Sequence, residues 1–358
     1  MTTLWVSFSE ADAQGLTELA PMTTARQGHT ATLLPDGKVL VAGGITEGGD
    51  ATADVEIYDP KTNTWADAES MTVTRSHHTA TLLKNGKLLV TGGVDKTEFR
   101  NNAEVYDPAA NTWFAAGPMS EALRANHTAT LLRDGRVLIA GGDGYLDDQE
   151  YEDTEVLNSA VIYNPATESW STAAPMQTAR QLHTATLLND GKVLLSAGVG
   201  EFGGLVSVEL YDPANNRWSA SGVLKTPRWS HTATLLPNGK VLVAGGFEAN
   251  NSTASVELYD SQRNTWSSVS PLLAARHLHT ASLLQDGRVL IEGGVVKSGT
   301  ASSAEIYNPA ANTWVDTGRV LNKRYSHTIT ALPDGSLLLL GGLDANGILA
   351  SAELFNPN

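Results

Sequence analysis

One short segment recurs seven times along this chain, and the repetition limits the folds that the chain can adopt. Each copy contains a His-Thr pair with an arginine three residues ahead of the histidine. Successive histidines are separated by 49, 49, 56, 48, 48 and 48 residues. A period in this range indicates stacked supersecondary units of a repeat architecture. The histidines are His29, His78, His127, His183, His231, His279 and His327, and the arginines are Arg26, Arg75, Arg124, Arg180, Arg228, Arg276 and Arg324.

Every repeat predicts short β-strands. In the first repeat, Asp36-Gly37 separates two apolar runs, and Asp-Gly or Asn-Gly stands at the same place in the other six. Such a pair between apolar runs is a strong hairpin signal, because tight turns require positive φ. A third strand ends at motifs such as Tyr58-Asp59-Pro60, where proline ends the hydrogen-bond ladder. A fourth strand begins with tryptophan in six repeats.

The seventh repeat ends at Asn358, before a fourth strand. Near the N-terminus, Gly15 to Met22 matches Trp113 to Met119 in register, with Leu16 at the tryptophan position. If residues 14–20 pair with the third strand of repeat seven, the ring closes without an exposed sheet edge. The sequence therefore predicts an all-β, seven-bladed β-propeller over residues 14–358, after an N-terminal extension, residues 1–13. The expected blades are 26–71, 75–119, 124–176, 180–224, 228–272, 276–320 and 324–358 with 14–20.

Gly-Gly doublets, tyrosines and tryptophans at this period resemble the kelch repeat over residues 14–358. The motif His-Thr-Ala-Thr-Leu-Leu-x-Asp-Gly-Lys-Val-Leu is similar to motifs of bacterial kelch proteins and of the propeller domain of galactose oxidase. The resemblance implies a kelch propeller, a fold that hosts enzymes, sugar binders and protein-interaction modules. It also implies a ligand-binding role for arginines at the blade connections, which often line the ligand pocket of kelch interaction domains.

Charge and composition narrow the partners. The chain carries 24 Lys and Arg against 39 Asp and Glu, a formal net charge of −15, whereas nucleic-acid binding needs a basic surface. The absence of cysteine excludes a disulfide framework and disfavours copper-radical oxidation, which in the galactose oxidase family needs a Tyr–Cys crosslink. No apolar run is long enough for a membrane span. We expect a soluble monomer, either cytoplasmic or secreted with its signal removed.

One face of the predicted propeller varies from repeat to repeat. The second-to-third loops and the blade connections share this face, and binding residues concentrate on variable loops over a constant scaffold. Two variable positions separate the repeated arginine from the histidine and should rim the mouth of the central channel. Aromatic and imidazole groups at a concave mouth are typical of a ligand pocket. The candidate ligand-binding residues are Gln27, His77, Asn126, Gln181, Trp229, His277 and Tyr325, with Phe202 and Phe247 from the loops.

The repeated histidines and arginines have two interpretations. A residue present in every blade is most simply explained by packing, and a glutamate that recurs in six third strands could pair with the histidine or arginine of its own blade. Alternatively, the kelch resemblance gives Arg75, Arg124, Arg228, Arg276 and Arg324 a role in holding ligand carboxylates. The glutamates are Glu56, Glu104, Glu209, Glu257, Glu305 and Glu353, and Val161 takes this position in the third repeat.

The third repeat has the longest second-to-third loop, from Asp143 to Ser159. No Lys or Arg occurs between Arg136 and Arg180. Oxygen-rich loops of this kind suit Ca²⁺, although the spacing does not match an EF-hand, and a solvated acidic loop is the alternative. The candidate ligands are Asp143, Asp147, Asp148, Glu150, Glu152 and Asp153, and Glu155 completes the seven acids.

The sequence favours a binding propeller that captures a small molecule, a carbohydrate or a peptide on the variable face. The alternative is an enzyme with its active site at the channel mouth. Its acid–base or metal-ligand candidates are His77, His277, Tyr325 and Asp143. The kelch resemblance is compatible with two kinds of enzyme, a sugar or sugar-acid isomerase and an enzyme with metal-dependent chemistry. A pure scaffold is the third hypothesis.

Overall fold

The computed structural model describes residues 15–96, 98–119, 122–146 and 154–357. Within these residues, seven four-stranded antiparallel sheets follow one another along the chain. Each first strand lies beside the first strands of both neighbouring sheets, and the first sheet adjoins the last in the same way. The prediction of an all-β propeller built from the repeats is confirmed. The expected N-terminal extension, residues 1–13, lies outside the described residues.

The four strands of each blade run from the central channel outward. The first strands are Thr30–Leu33, Thr79–Leu82, Thr128–Leu131, Thr184–Leu187, Thr232–Leu235, Thr280–Leu283 and Thr328–Ala331. The second strands are Val39–Ala42, Leu88–Thr91, Val137–Ala140, Val193–Ser196, Val241–Ala244, Val289–Glu292 and Leu337–Leu340. The third strands are Val55–Asp59, Asn102–Asp107, Ala160–Asn164, Val208–Asp212, Val256–Asp260, Ser303–Asn308 and Ala352–Phe355. The fourth strands are Thr64–Ala68, Thr112–Pro118, Ser169–Thr172, Arg217–Ala220, Thr265–Ser268 and Thr313–Arg319, with Leu16–Glu18 in blade seven.

The fourth strand of blade seven comes from the other end of the described chain. Leu16–Glu18 pairs antiparallel with Ala352–Phe355, and Leu16 stands opposite Phe355. In blade one the same two positions are held by Trp65 and Tyr58. An outer edge that would otherwise expose its backbone groups is thereby paired.

Tyrosines and tryptophans join neighbouring blades. In blade one the rings of Tyr58 and Trp65 have centroids 5.0 Å apart. The indole N–H of Trp65 donates a hydrogen bond to the Ala20 carbonyl, which follows the outer strand of blade seven, at 2.8 Å. Apolar side chains of adjacent blades, such as Val41 and Leu340, fill the space between the sheets. The core therefore lies between neighbouring blades.

Small ribbons extend the second-to-third loops on one face. Four are two-stranded: Val94–Asp95 with Glu98–Phe99, Val199–Gly200 with Gly203–Gly204, Phe247–Glu248 with Asn251–Ser252, and Val295–Val296 with Gly299–Thr300. In blade three, Asp143–Leu146 pairs with both Ala122–Ala125 and Glu155–Val156. Across the described parts of the chain, no helix is long and apolar enough to cross a membrane.

Candidate functional site

The blade connections run against the second-to-third loops. In every blade, the first variable position pairs with the residue that follows the glycine doublet, or Ala197-Gly198 in blade four, as Gln27 does with Ile45 and Trp229 with Phe247. In blade three the pair is Ala125 with Asp143. The variable loops and the connections therefore share one face, as the sequence predicts.

The second variable position of each connection surrounds the opening of the central channel. Backbone N–H groups donate from one blade to the next, for example from His77 to the Gly28 carbonyl at 2.9 Å. All seven residues have φ between 50° and 60°, a left-handed conformation that costs energy in residues other than glycine. We call them the mouth ring; they are Gly28, His77, Asn126, Leu182, Ser230, Leu278 and Ser326.

The mouth ring surrounds a cavity of about 590 Å³, a size typical of small-ligand sites. A second space of about 330 Å³ shares six mouth-ring residues with this cavity, and its lining also includes six of the seven repeated histidines. Among the candidate residues at the first variable position of the connections, some line the 590 Å³ cavity and others do not. Trp229 and His277 line the cavity, whereas Gln27, Gln181 and Tyr325 lie half-buried beside it without lining it.

The repeated histidines link neighbouring blades. The Nε2 atom of each lies within 2.8–3.1 Å of a threonine Oγ1 on the adjacent first strand. His29 makes this contact with Thr328 and so connects blade one to blade seven. Burial, together with the charge of the nearby Arg26, lowers the pKa of His29 to about 3. These histidines are structural groups whose common partner is a threonine of an adjacent blade rather than a glutamate of their own. His327 Nε2 also lies 2.6 Å from Oε2 of Glu292 in blade six.

The repeated arginines lie inside the blades. Arg180 Nη2 pairs with Glu209 Oε1 at 2.9 Å, and its Nη1 donates to the Ala197 carbonyl at 2.7 Å. The same ion pair recurs in five other blades. All seven arginines are fully buried, so the alternative that some of them hold a ligand at the mouth does not fit their placement. The candidates concerned are Arg75, Arg124, Arg228, Arg276 and Arg324.

Blade three lacks the glutamate, and its arginine has a different environment. Arg124 donates to the Gly141 carbonyl at 3.0 Å and to Ser159 Oγ at 2.8 Å, and no carboxylate of the described residues pairs with it. Val161 occupies the position of the glutamate. Burial lowers the pKa of Arg124 to about 10, which leaves it protonated at neutral pH. This cation is held by neutral acceptors.

Three rings form an aromatic wall on one side of the mouth. Trp229 and Phe247 meet edge to face with centroids 5.2 Å apart, and Phe247 lies 4.6 Å from the His277 ring. Trp229 rests on the neighbouring ribbon at Gly204, where a Cβ atom would come within 2.8 Å of the indole. The glycine therefore leaves the space that the tryptophan occupies. Phe202, at the tip of that ribbon, is 97% exposed and does not line the cavity.

The other side of the mouth is polar. His77 and Asn126 line the cavity, and Asn126 Nδ2 donates to Asp143 Oδ1 at 2.9 Å. Asp143 follows the glycine doublet of blade three, where the other blades have apolar residues. Partial burial raises the pKa of Asp143, and the hydrogen bond from Asn126 opposes this shift. The structure thus brings one carboxylate to the rim of the mouth.

The four catalytic candidates do not form a linked set. Among the described residues, His77 and His277 contact serines, Asp143 contacts Asn126, and no hydrogen bond joins any two of the candidates. In the part of the mouth that the structure describes, there is therefore no general base oriented by a third group, as nucleophilic catalysis requires.

The predicted Ca²⁺ site falls mostly outside the described residues. Of its candidate ligands, the structure places Asp143, whereas Asp147, Asp148, Glu150, Glu152 and Asp153 lie outside the described residues. No group of three His, Cys, Asp or Glu side chains suited to a metal occurs in the parts of the chain that the structure describes. Calcium binding by this loop stays a prediction.

The sequence predicts that both variable positions rim the mouth, but the candidate ligand-binding residues chosen from it omit most of the mouth ring. Sequence reasoning selected His77 and Asn126 for their side chains and passed over the same position in other repeats, notably Leu182, Ser230 and Leu278. The available signal was positional, because each of these residues directly precedes the repeated histidine. Ser76, which contacts His77, occupies the first variable position of its connection, whereas Ser252, which contacts His277, carried no sequence signal.

Comparison with known proteins identifies the family. The model described as the KLHDC2/KLHL20/DRC7 Kelch-repeats domain matches residues 6–204, and the Kelch motif matches residues 228–273. Kelch-like protein 40 from Mus musculus is 42% identical over 52 residues, which are 14% of this chain. The chain spans only 8% of the length of that curated relative.

Two solved structures share the fold. A fungal alcohol oxidase of the AA5 family, in complex with copper, superposes with a TM-score of 0.78 at 16% identity, over 95% of this chain and 76% of its own. The structure of YjhT gives a TM-score of 0.61 at 17% identity, over 83% and 99% respectively. At such identities the likeness concerns the fold alone. The first of these family models matches more than half of the residues of this chain. The chain therefore belongs to the kelch-repeat family.

Proposed function

We propose that this protein is a binding propeller that captures a ring-bearing ligand of the carbohydrate class at the mouth ring. The aromatic wall of Trp229, Phe247 and His277 is the observation that carries this proposal. Large aromatic faces at a concave opening provide much apolar contact area together with a defined geometry. A flat sugar face can pack on such a wall.

The opposite side of the mouth supplies hydrogen-bonding partners. Asp143, Asn126 and His77 lie there, within or beside the same cavity. A sugar has apolar ring faces and peripheral hydroxyl groups, so it can use both walls at once. The blades support the two walls from below, and a rigid support reduces the entropy lost when the ligand binds.

The test is isothermal titration calorimetry with a panel of trisaccharides, including the β-1,4-linked glucose and glucosamine trimers. We expect Trp229→Ala to weaken binding about tenfold or more, equivalent to roughly 1.4 kcal/mol, because it removes the stacking face. Phe202→Ala is the matched control, since it removes an aromatic ring from the same molecular face outside the cavity. Unchanged binding by Trp229→Ala, or no binding by any trisaccharide, would refute the proposal.

A further inference from the structure

We infer that the mouth selects its ligand by charge and by hydrogen-bond donors, with Asp143 as the specificity-determining residue. This inference rests on the proposed function and narrows its ligand to sugars that carry an amine, in preference to sugar acids. Three observations support it: the orientation of the mouth histidines, the side-chain contact of Asp143, and the burial of the arginines.

The two mouth histidines share one hydrogen-bonding arrangement. His277 Nδ1 lies 2.8 Å from Ser252 Oγ, which lies 3.1 Å from the Val295 carbonyl. His77 Nδ1 lies 3.2 Å from Ser76 Oγ, which lies 2.9 Å from the Val94 carbonyl. Val94 holds in blade two the position that Val295 holds in blade six. A serine hydroxyl has one hydrogen. Both contacts of each serine are hydrogen bonds only if the hydroxyl donates to the carbonyl and accepts from Nδ1–H.

This arrangement fixes the imidazole tautomer. With the proton on Nδ1, the Nε2 atom of a neutral imidazole is an acceptor. Burial lowers the pKa of both His77 and His277, which favours the neutral form at pH 7. Each histidine therefore offers an acceptor to a ligand.

Asn126 and Asp143 present acceptors as well. The amide nitrogen of Asn126 is directed to Asp143 Oδ1, which leaves the amide oxygen for other partners. The Asp143 carboxylate accepts hydrogen bonds through both of its oxygens. A protonated amine can pair with this carboxylate, and an ammonium group is also attracted to the face of Trp229.

No Lys or Arg side chain lies in the lining of the cavity, as far as the described residues extend. The seven repeated arginines are fully buried, and six of them are paired with glutamates. The sequence from Asp143 to Glu155 contains seven acidic residues and no Lys or Arg. A ligand carboxylate would meet negative charge without a partner, which disfavours its binding.

The experiment compares β-1,4-linked trimers of glucosamine, glucose and glucuronate by calorimetry at pH 7 and about 0.15 M salt, where distant charges are screened. We expect the glucosamine trimer to bind tightest and the glucuronate trimer weakest. Asp143→Asn should reduce the preference for glucosamine over glucose about tenfold and change glucose binding less than twofold. Glu155→Gln is the matched control, because it removes one charge from the same loop; it should keep the preference.

Each other outcome overturns the inference. Tightest binding of the glucuronate trimer, or equal effects of Asp143→Asn and Glu155→Gln, would contradict it and leave the proposed function standing. If no trimer binds, both fall. Nitrogen-15 NMR of the imidazoles tests the acceptor arrangement without any ligand: protonated Nδ1 in His77 and His277 supports it, and protonated Nε2 refutes it.

Discussion

A buried arginine needs a partner, and the repeats supply one in six blades. Glu209 illustrates the arrangement: it pairs with Arg180 and also accepts the backbone N–H groups of Gln177 and Thr178 at 2.8 and 3.1 Å. The glutamate therefore joins the connection before the blade to the third strand of that blade. A pairing of arginine or histidine with this glutamate was predictable from their shared recurrence. The sequence did not show whether the arginine or the histidine is the partner of the glutamate, because this depends on where the two side chains lie in the folded blade.

Replacing Glu209 by Gln should destabilise the protein by about 3–5 kcal/mol, because it leaves the buried Arg180 without a counter-charge. The free energy of unfolding from urea titration measures the effect. Glu201→Gln, on an exposed ribbon tip, should change stability by less than about 0.5 kcal/mol. A loss below about 1 kcal/mol for Glu209→Gln would show that the ion pair contributes little.

At the scale of elements, local signals account for the blades. The Asp36-Gly37 turn depends only on residues of its own hairpin, since Gly37 has a φ of 88° and its N–H donates to the Leu34 carbonyl. The mouth ring has no comparable local signal. The positive φ of His77 and Leu182 accompanies hydrogen bonds to neighbouring blades. The hairpins were therefore predictable from the sequence, whereas the left-handed backbone conformation of the mouth ring was not.

The outer strand of blade seven offers a test at the same scale. Deleting residues 1–20 removes Leu16–Glu18, exposes the edge of Ala352–Phe355 and uncovers Phe355, which is 5% exposed. We expect the melting temperature to fall by several degrees, because apolar surface and ladder hydrogen bonds are lost. Deleting residues 1–13 alone is the control, since it keeps the strand pair. Equal melting temperatures for the two truncations would contradict the role given to this strand.

For the whole molecule, the His–Thr contacts form a circuit. Each repeated histidine bridges two blades, so the seven contacts run once around the channel and connect the last blade to the first. The sequence predicted structural histidines from their recurrence. It did not identify threonine as the partner, because this contact joins different repeats.

This circuit makes stability depend on pH. The pKa is lowered, mainly by burial, in His29, His78, His127, His183, His231 and His279. Between the ordinary value near 6.5 and the lowered values, the unfolded chain binds more protons than the folded protein. Stability should therefore be complete above about pH 6.5 and decline as the pH falls towards 3. Each histidine contributes up to about 1.4 kcal/mol per pH unit.

Urea titrations at pH 7.5, 6.5, 5.5 and 5.0 measure this decline above the range in which surface carboxylates titrate. His127→Gln is the informative variant, because glutamine can still bond to a hydroxyl but does not titrate. This substitution should lower the free energy of unfolding at pH 7.5. It should also reduce the loss of that free energy between pH 7.5 and 5 by the amount that one titrating histidine contributes. Equal stability of the parent protein at pH 7.5 and 5.0 would mean that these histidines do not remain neutral in the folded ring.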